Sequence, residues 1–286
     1  VHVRRLLSEY FTASVHTHSA FVTKVADWYA LRVDDTYPLG FEGNLIFDGE
    51  QDEFLTCLQA CTPGESSVAE CLPSYTMFAV SIPIRNHDAF RKSYETFADS
   101  RGKLNSMLVK QKSLNKANAI SPSDFFARLN VTELATASFL IGDRLEKVNL
   151  IRIENRDPEL IFNDPQIKTL RGYRPAVHQW KYASYISSVY GNMFRLKDES
   201  CCTYVNGWLV TGSRKAIEEY VSKGALHYTL KEYASHAGVK GLLSEQPALV
   251  VAYFSLTAQK ELLKNYMSDQ FIEGLSRYTG QSQYCP

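Results

Sequence analysis

The sequence predicts an α+β protein of two related units, each with a mostly antiparallel sheet and helices on one face of that sheet. Short apolar runs alternate with glycine, asparagine and proline turns, which is typical of strands, and several lead into apolar residues at helical spacing. The pattern of Leu31–Gln59 also returns in Phe194–Ser222, which predicts an internal repeat. The identical positions are Arg32 with Arg195, Asp35 with Asp198, and Gly49 with Gly212.

Each unit is predicted to run strand, strand, strand, helix, strand, helix. Gly43-Asn44 is predicted as a turn in the first unit. Asn206-Gly207, which lies over it in the second unit, is the strongest hairpin signal because both residues tolerate positive φ. Apolar residues at i, i+3 and i+4 predict the helix after each meander: Phe54, Cys57 and Leu58, then Ile217, Tyr220 and Val221. The closing strand and helix of each unit are Tyr75–Ile84 with Asp88–Ala98, and Ala248–Leu256 with Ala258–Met267.

Further elements are expected between the two copies. Ser100–Ala119 is polar with an excess of positive charge, which favours a solvated helix or loop. Ser121-Pro122 is a good helix start because serine caps free amides and proline suits a first turn. Gly142 is expected to join Thr136–Ile141 and Leu145–Ile153 in a hairpin. A polar, proline-rich stretch then predicts a linker at 161–175, between a first unit of 1–160 and a second of 176–286.

Composition sets limits on the class of protein. Apolar residues make up 45% of the 286, enough to bury a core. Lys plus Arg and Asp plus Glu are both 31, so the net charge is zero, which argues against a nucleic-acid partner. The longest apolar run, Ala248–Phe254, is far shorter than the roughly 20 residues of a membrane span. The chain starts at Val1 without a signal peptide, so we expect it to be a piece of a longer protein.

No metal or cofactor site is predicted. An acidic run would suit calcium, but its place before a predicted helix favours capping of that helix. The run consists of Asp48, Glu50, Asp52 and Glu53. The pair His16 and His18 lacks an acidic or thiol partner. Glycine-rich phosphate loops are absent from the sequence, and His178, His227 and His236 have no nucleophile elbow beside them.

Three interpretations remain open for Cys57, Cys61 and Cys71. Three thiolates could hold zinc, but a fourth ligand is not evident. A Cys61–Cys71 disulfide would close a short loop, while buried free thiols are favoured because cysteine packs as a small apolar residue. Cys201 and Cys202 point to opposite faces of a strand, so they are poorly placed to share a ligand, and core packing is expected for both.

Aromatic residues supply the candidate binding surface. Aromatic side chains can bind sugars, peptides or partner proteins, although the core is the usual place for them. Trp180 and Phe194 fit an apolar face and are assigned to the core. The residues assigned to a possible binding surface are Tyr173, Tyr182, Tyr185 and Tyr190.

Several stretches resemble an uncharacterised family of exported proteins from Bacteroidetes that carry a domain of unknown function. They are FVTKVADWYALRV, LGFEGNLIFDGEQDEFLTCL, SSVAECLPSYTMFAVSI, AFRKSYETFA and DFFARLNVTELATASFL. The resemblance covers most of the chain and implies a cell-envelope location, on the periplasmic or surface side, with a membrane or lipid anchor upstream. It brings no catalytic residues.

Three functions follow as expectations. The leading one is a non-enzymatic envelope protein with a surface for a ligand or a partner protein. The alternative is a hydrolase-type enzyme with its site between the two units, since clefts between domains often bind ligands. The third is a structural repeat unit of a longer envelope protein.

Overall fold

The structure is a computed structural model that describes residues 28–34, 40–46, 56–59, 61–83, 85–142, 144–154, 159–162, 167–223, 228–237, 246–254, 269 and 273. The described strands are β1 Trp28–Asp34, β2 Gly40–Ile46, β3 Phe78–Ile82, β4 Val131–Ile141, β5 Arg144–Ile153, β6 Thr169–Leu170, β7 Val177–Gln179, β8 Cys201–Val205, β9 Trp208–Gly212 and β10 Val251–Phe254. The described α-helices are α1 Thr56–Gln59, α2 His87–Ser100, α3 Leu104–Asn118, α4 Pro122–Leu129, α5 Glu159–Phe162, α6 Tyr185–Tyr190, α7 Arg214–Lys223 and α8 Leu230–Ala237. Single 3-10 turns lie at Val68–Glu70 and Asn192–Phe194.

The chain divides into two compact units that differ from the predicted ones. One unit is Val1–Gln59 with Ser255–Pro286, and the other is Ala60–Phe254. The predicted linker 161–175 lies inside the second of these, where part of it forms β6. Strands from both sides of the predicted linker are hydrogen-bonded in one sheet, so the chain is not divided there.

In the first unit, β1 and β2 form an antiparallel pair. Gly43 pairs with Leu31 and Asn44 pairs with Ala30, both inside β2. The predicted turn at Gly43-Asn44 is therefore wrong, and the register of the proposed repeat is not confirmed. The acidic run, His16, His18 and the predicted helix Ala258–Met267 lie outside the described residues.

The second unit contains an eight-stranded sheet in the order β10-β3-β4-β5-β9-β8-β7-β6. Every neighbouring pair in it is antiparallel, which confirms an α+β fold with an antiparallel sheet. Gly142, with φ of 65°, follows β4 and confirms the predicted hairpin with β5. Asn206 and Gly207 have φ of 51° and 87° between β8 and β9, so the second predicted hairpin is also confirmed.

One face of this sheet packs against α7. Val148, Leu150 and Val210 belong to a core cluster with Ile217 and Tyr220 of that helix. The apolar spacing that predicted the helix therefore marks its buried side.

Helices also cover the opposite face. Neighbouring strand residues point to opposite sides, and Asn149, between Val148 and Leu150, donates from Nδ2 to the Phe194 carbonyl at 2.8 Å. Phe194 ends the 3-10 turn that follows α6, and α6 packs against α2, α3 and α4. The prediction of helices on one face only is corrected: the sheet lies between two helical layers.

Local capping explains where these helices begin. The Asn86 side chain accepts the Ala89 N–H at 3.0 Å, and Ser121 Oγ accepts the Asp124 N–H at 3.1 Å. The predicted start of α4 is thus confirmed. α3 has no buried residue, as expected for a solvated helix. No helix in the described ranges is long and apolar enough to cross a bilayer.

Candidate functional site

A groove of about 920 Å³ lies at one end of the sheet, where β5 begins and β9 ends. Three segments form it: the start of β5, the loop between the Asn192–Phe194 turn and β8, and the residue that joins β9 to α7. Its lining residues are Arg144, Leu145, Glu146, Lys147, Arg195, Leu196, Lys197, Asp198 and Ser213.

Ser213 fixes one wall of the groove. Its Oγ accepts the Ala216 N–H at 3.1 Å and so caps the start of α7. The same hydroxyl donates to Glu146 Oε2 at 3.0 Å, which ties β5 to that helix. The Glu146 carboxylate is therefore already engaged within the protein.

The groove is positively charged although the whole chain is neutral. Four of its lining residues are cations, Arg144, Lys147, Arg195 and Lys197, and two are acids, giving an excess of 4 − 2 = 2 positive charges. A cleft whose walls carry an excess of one charge sign concentrates ions of the opposite sign. The arrangement is suited to anions.

Lys147 is the unusual cation of the set. It is half-buried, and its Nζ donates to the Met193 carbonyl at 2.5 Å. Burial lowers its pKa below the ordinary 10.5. None of the described carboxylates forms an ion pair with it. A buried charge is costly unless it is paired. An anion bound beside this amine would therefore offset part of that cost.

A second amine extends the positive surface to α3. Lys110 Nζ lies 3.4 Å from Ser187 Oγ of α6, at the long limit of a hydrogen bond. Burial and the nearby Arg195 guanidinium lower the pKa of Lys110, while the Glu199 carboxylate raises it. The Lys110 amine is therefore close enough to Arg195, a lining residue of the groove, for their charges to interact.

Buried polar contacts hold the groove loop against the sheet. Glu199 is 8% exposed and accepts the Ser184 N–H at 2.6 Å and the Thr211 hydroxyl at 2.7 Å. Burial raises the pKa of Glu199, and these two donors oppose that rise. With the bond from Asn149 to Phe194, they anchor the loop on both sides of Arg195.

The tyrosines predicted to form a binding surface lie elsewhere. Tyr182, Tyr185 and Tyr190 are 8%, 1% and 3% exposed. They pack with Phe125 and Phe126 in one aromatic cluster between α4 and α6. These three are core residues, because a ring enclosed by other rings offers no face to a ligand.

Tyr173 sits apart from that cluster. Its hydroxyl donates to Glu218 on α7 at 2.7 Å, and Arg214 bonds to the same carboxylate oxygen.

The core assignment of Trp180 and Phe194 is confirmed, with exposures of 7% and 0%.

No reactive cysteine or histidine site occurs in the described part of the chain. Cys71, Cys201 and Cys202 are buried free thiols, as favoured, so the Cys61–Cys71 disulfide is not formed. Burial raises the pKa of all three thiols, which keeps them protonated and unreactive.

Each described histidine has a structural contact. The ring of His178 stacks on Phe162, and that of His236 stacks on Tyr228. Burial lowers the pKa of His87 to about 4, so this side chain is neutral at physiological pH. His227 lies outside the described residues. No group of three or more potential metal ligands occurs among the described residues.

A second polar cluster has a structural role. Glu133, 1% exposed, accepts hydrogen bonds from Ser66 Oγ at 2.6 Å, Ser81 Oγ at 2.5 Å, and Ser67 N and Oγ at 2.9 and 3.1 Å. Arg152 donates to Ser67 Oγ from the neighbouring strand. The network fastens the loop before β3 to the sheet and leaves no free acceptor for a ligand.

A second depression, of about 530 Å³ beside α8, also has its charges satisfied. Lys231 Nζ lies 2.9 Å from Glu70 Oε1, and the Glu232 carboxylate accepts the Thr229 N–H at 2.7 Å. The unpaired Lys147 distinguishes the first groove from this one.

Comparison with known proteins gives no relative: no family model, curated protein or solved structure matches the chain.

The groove cations were not predicted as a site. Arg195 was predicted only as part of the internal repeat, Lys147 lay within the predicted strand Leu145–Ile153, and Arg144 lay in the turn before that strand. They are distant in sequence and carry no motif. Their common position depends on the pairing of β5 with β9, which places Ser213 and the loop before β8 beside the start of β5.

Proposed function

We propose that this chain is a non-enzymatic binding protein of the cell envelope, and that its Ala60–Phe254 unit takes an anionic ligand in the groove. The half-buried Lys147 amine carries the proposal, because its charge is desolvated and lacks a described carboxylate partner. A bound anion would supply the missing counter-charge, and Arg144, Arg195 and Lys197 would add attraction at the rim. The envelope location rests on the resemblance to exported proteins.

We further propose that Leu31–Gln59 and Phe194–Ser222 are related copies, and that what they share is the order of their strands and helix. An antiparallel strand pair precedes a helix in both places, β1 and β2 before α1, and β8 and β9 before α7. Only the second copy contributes to the groove, through Arg195 and Ser213.

Inorganic phosphate is the probe for the proposed function. We expect phosphate to raise the melting temperature of the wild type more than chloride does at equal ionic strength, since binding to the folded state stabilises it. Lys147→Met removes the buried charge and should abolish most of this difference. Lys92→Met, at an exposed lysine of α2, is the matched control and should keep it.

The comparison between variants is needed because phosphate also stabilises proteins by exclusion from their surface. That general effect is the same in all three proteins. An equal response of wild type and Lys147→Met to phosphate would contradict the proposal.

A further inference from the structure

Strand β5 begins before its neighbour β9 reaches it. β5 starts at Arg144, but its pairing with β9 starts only at Val148, which lies opposite Gly212, the last residue of β9. Residues 144–147 are therefore paired with β4 on one side and with no strand of the described residues on the other. The groove lies along this open edge, since all four residues line it.

Hydrogen bonds further along β5 show which way its backbone groups point. The N–H and C=O of one strand residue point to the same neighbour, and those of the next residue point to the opposite side. The Val148 carbonyl accepts the Thr136 hydroxyl of β4 at 3.1 Å. The Ile153 N–H donates to the carbonyl of Gly207, just before β9, at 2.9 Å. Even-numbered residues of β5 therefore face β4, and odd-numbered residues face the side of β9.

Leu145 and Lys147 are the odd-numbered residues of the open edge, so their backbone groups point into the groove. The Leu145 N–H and C=O and the Lys147 N–H have no backbone partner among the described residues. Unpaired groups along a strand edge form a template for another strand. In the sheet order β9 separates β5 from β8, so the space between β5 and the loop before β8 has the width of one strand where β9 has ended.

The inner end of this strand-shaped space is closed. Gly212 occupies the next position along the line of β9, and Ser213 turns away to cap α7. An added strand must therefore terminate beside Lys147, the residue of β5 that precedes the last pair with β9. The excess of positive charge in the groove favours a negative chain end over a positive one.

We propose that the ligand is the carboxyl end of an extended polypeptide, which adds a strand to β5 along residues 144–147. The inference rests on the proposed anion-binding function and assigns its ligand class. The peptide runs parallel to β5, which places its terminal carboxylate at the closed end of the groove beside Lys147. Its main chain pairs with Leu145 and Lys147 by strand addition, and its apolar side chains pack on Leu145, which is 50% exposed.

The spacing of the unpaired groups favours a peptide over other anions. They recur at every second residue, about 6.6 Å apart, which is also the repeat of donors and acceptors along one side of an extended peptide. A small anion bound at Lys147 leaves the Leu145 groups unpaired. Nucleic acids and glycans do not carry a backbone N–H and C=O at this repeat.

The first test uses the whole chain and a fluorescein-labelled hexapeptide, Gly-Ser-Thr-Val-Thr-Val, with a free carboxyl end. Its β-branched residues favour an extended conformation, and main-chain bonds require no particular sequence. We expect binding by fluorescence anisotropy with protein at up to about 0.5 mM. The same peptide with a terminal amide should bind at least about tenfold more weakly, because it brings no charge to Lys147.

Substitution of the lysine assigns that preference to the groove. Lys147→Met should bind the acid and the amide with equal affinity. Lys92→Met, at the exposed lysine of α2, should keep the preference for the acid. A preference for the acid that survives in Lys147→Met would contradict the placement of the carboxylate.

Methylation of single peptide nitrogens tests the strand pairing without any change to the protein. A methyl group on a nitrogen that faces β5 removes a donor and adds bulk to the contact. We expect losses of at least about tenfold at every second residue of the peptide and little change at the residues between them. A scan without this period of two would exclude strand addition.

Hydrogen exchange followed by NMR locates the pairing on β5. At saturating peptide, exchange of the Leu145 and Lys147 amides should slow by at least about tenfold, because both gain a partner. The amides of Arg144 and Glu146 already face β4 and should exchange as before. Equal protection of all four amides would contradict the proposed register.

Absence of peptide binding, or equal affinity of the wild type for the acid and the amide, would overturn the inference. If the phosphate response still depends on Lys147 in either case, the proposed function stands and only the ligand class is wrong. Loss of that dependence would contradict the function itself.

Discussion

Lys147 is the cation of the groove whose amine is half-buried without a described carboxylate partner. A charged group that loses water on folding without gaining a counter-charge reduces stability. In this protein the loss of stability arises at a groove, where a bound anion can offset it. Binding sites commonly carry such a local cost to stability.

We predict that Lys147→Met stabilises the free protein at neutral pH by about 1 kcal/mol, because methionine fills a similar volume without a charge. Folding lowers the Lys147 pKa, so the unfolded chain binds more protons between the lowered pKa and 10.5. Wild-type stability should therefore rise with pH across that interval, and the advantage of the variant should shrink. Denaturant unfolding at pH 7 and at pH 10.5 measures this. A variant that is less stable at pH 7 would contradict the account.

Glu133 shows the opposite arrangement, a buried charge with its acceptors filled. Glu133→Gln should cost about 1–3 kcal/mol of unfolding free energy, because the amide nitrogen cannot accept from the serine donors. Glu65→Gln, an exposed residue of the same loop, should change stability by less than about 0.5 kcal/mol. Equal stability of the two variants would show that the network does not hold the loop.

Sequence predicted some of these residue roles and missed others. The Ser121 cap and the buried Tyr220 were predictable, because capping and helical periodicity are local. Tyr182, Tyr185 and Tyr190 were assigned to a surface because an aromatic residue has the same sequence signature in a core and in a groove. Lys147 gave no signal, because the desolvation of its amine depends on Met193 and the loop that follows it.

Among the elements, the β8–β9 hairpin is the best predicted because its turn determines its geometry. Gly207 has a φ of 87°, a conformation that costs other residues about 1–2 kcal/mol. Gly207→Ala should lower the unfolding free energy by about that amount, and Gly207→Asn by less, since asparagine tolerates positive φ. Thermal unfolding compares the two, and an alanine variant as stable as the wild type would exclude a strained turn.

Gly43-Asn44 shows why the same residue types do not always form the turn that they predict. These residues lie inside β2, each paired with a residue of β1. Glycine and asparagine permit a turn without requiring one, and a paired strand can take them instead. The predicted repeat failed in its register for this reason, although a helix follows a strand pair in both copies.

For the molecule as a whole, the sheet order could not be read from the sequence. β3 pairs with β10, and β5 pairs with β9, so partners are separated by dozens of residues or more. Local patterns predicted most of these strands but contained no information on which would be neighbours. The domain boundary at 161–175 was drawn from composition, and the sheet continues across it.

The groove is a product of that sheet order. It combines the start of β5, the loop before β8 and the start of α7, none of which carries a binding motif by itself. The neutral net charge argued against a nucleic-acid partner, but net charge is an average over the whole chain. The structure instead concentrates an excess of positive charge in one region of the Ala60–Phe254 unit.

The pKa of the Lys147 amine, measured by NMR of lysine-labelled protein with and without inorganic phosphate, tests the central claim most directly. The signal is assigned by its loss in Lys147→Met. In the free protein we expect a pKa below the ordinary 10.5, and an upward shift when phosphate binds, because a nearby anion favours the charged amine. A Lys147 pKa that phosphate leaves unchanged, at concentrations that raise the melting temperature, would contradict the claim that an anion binds in this groove.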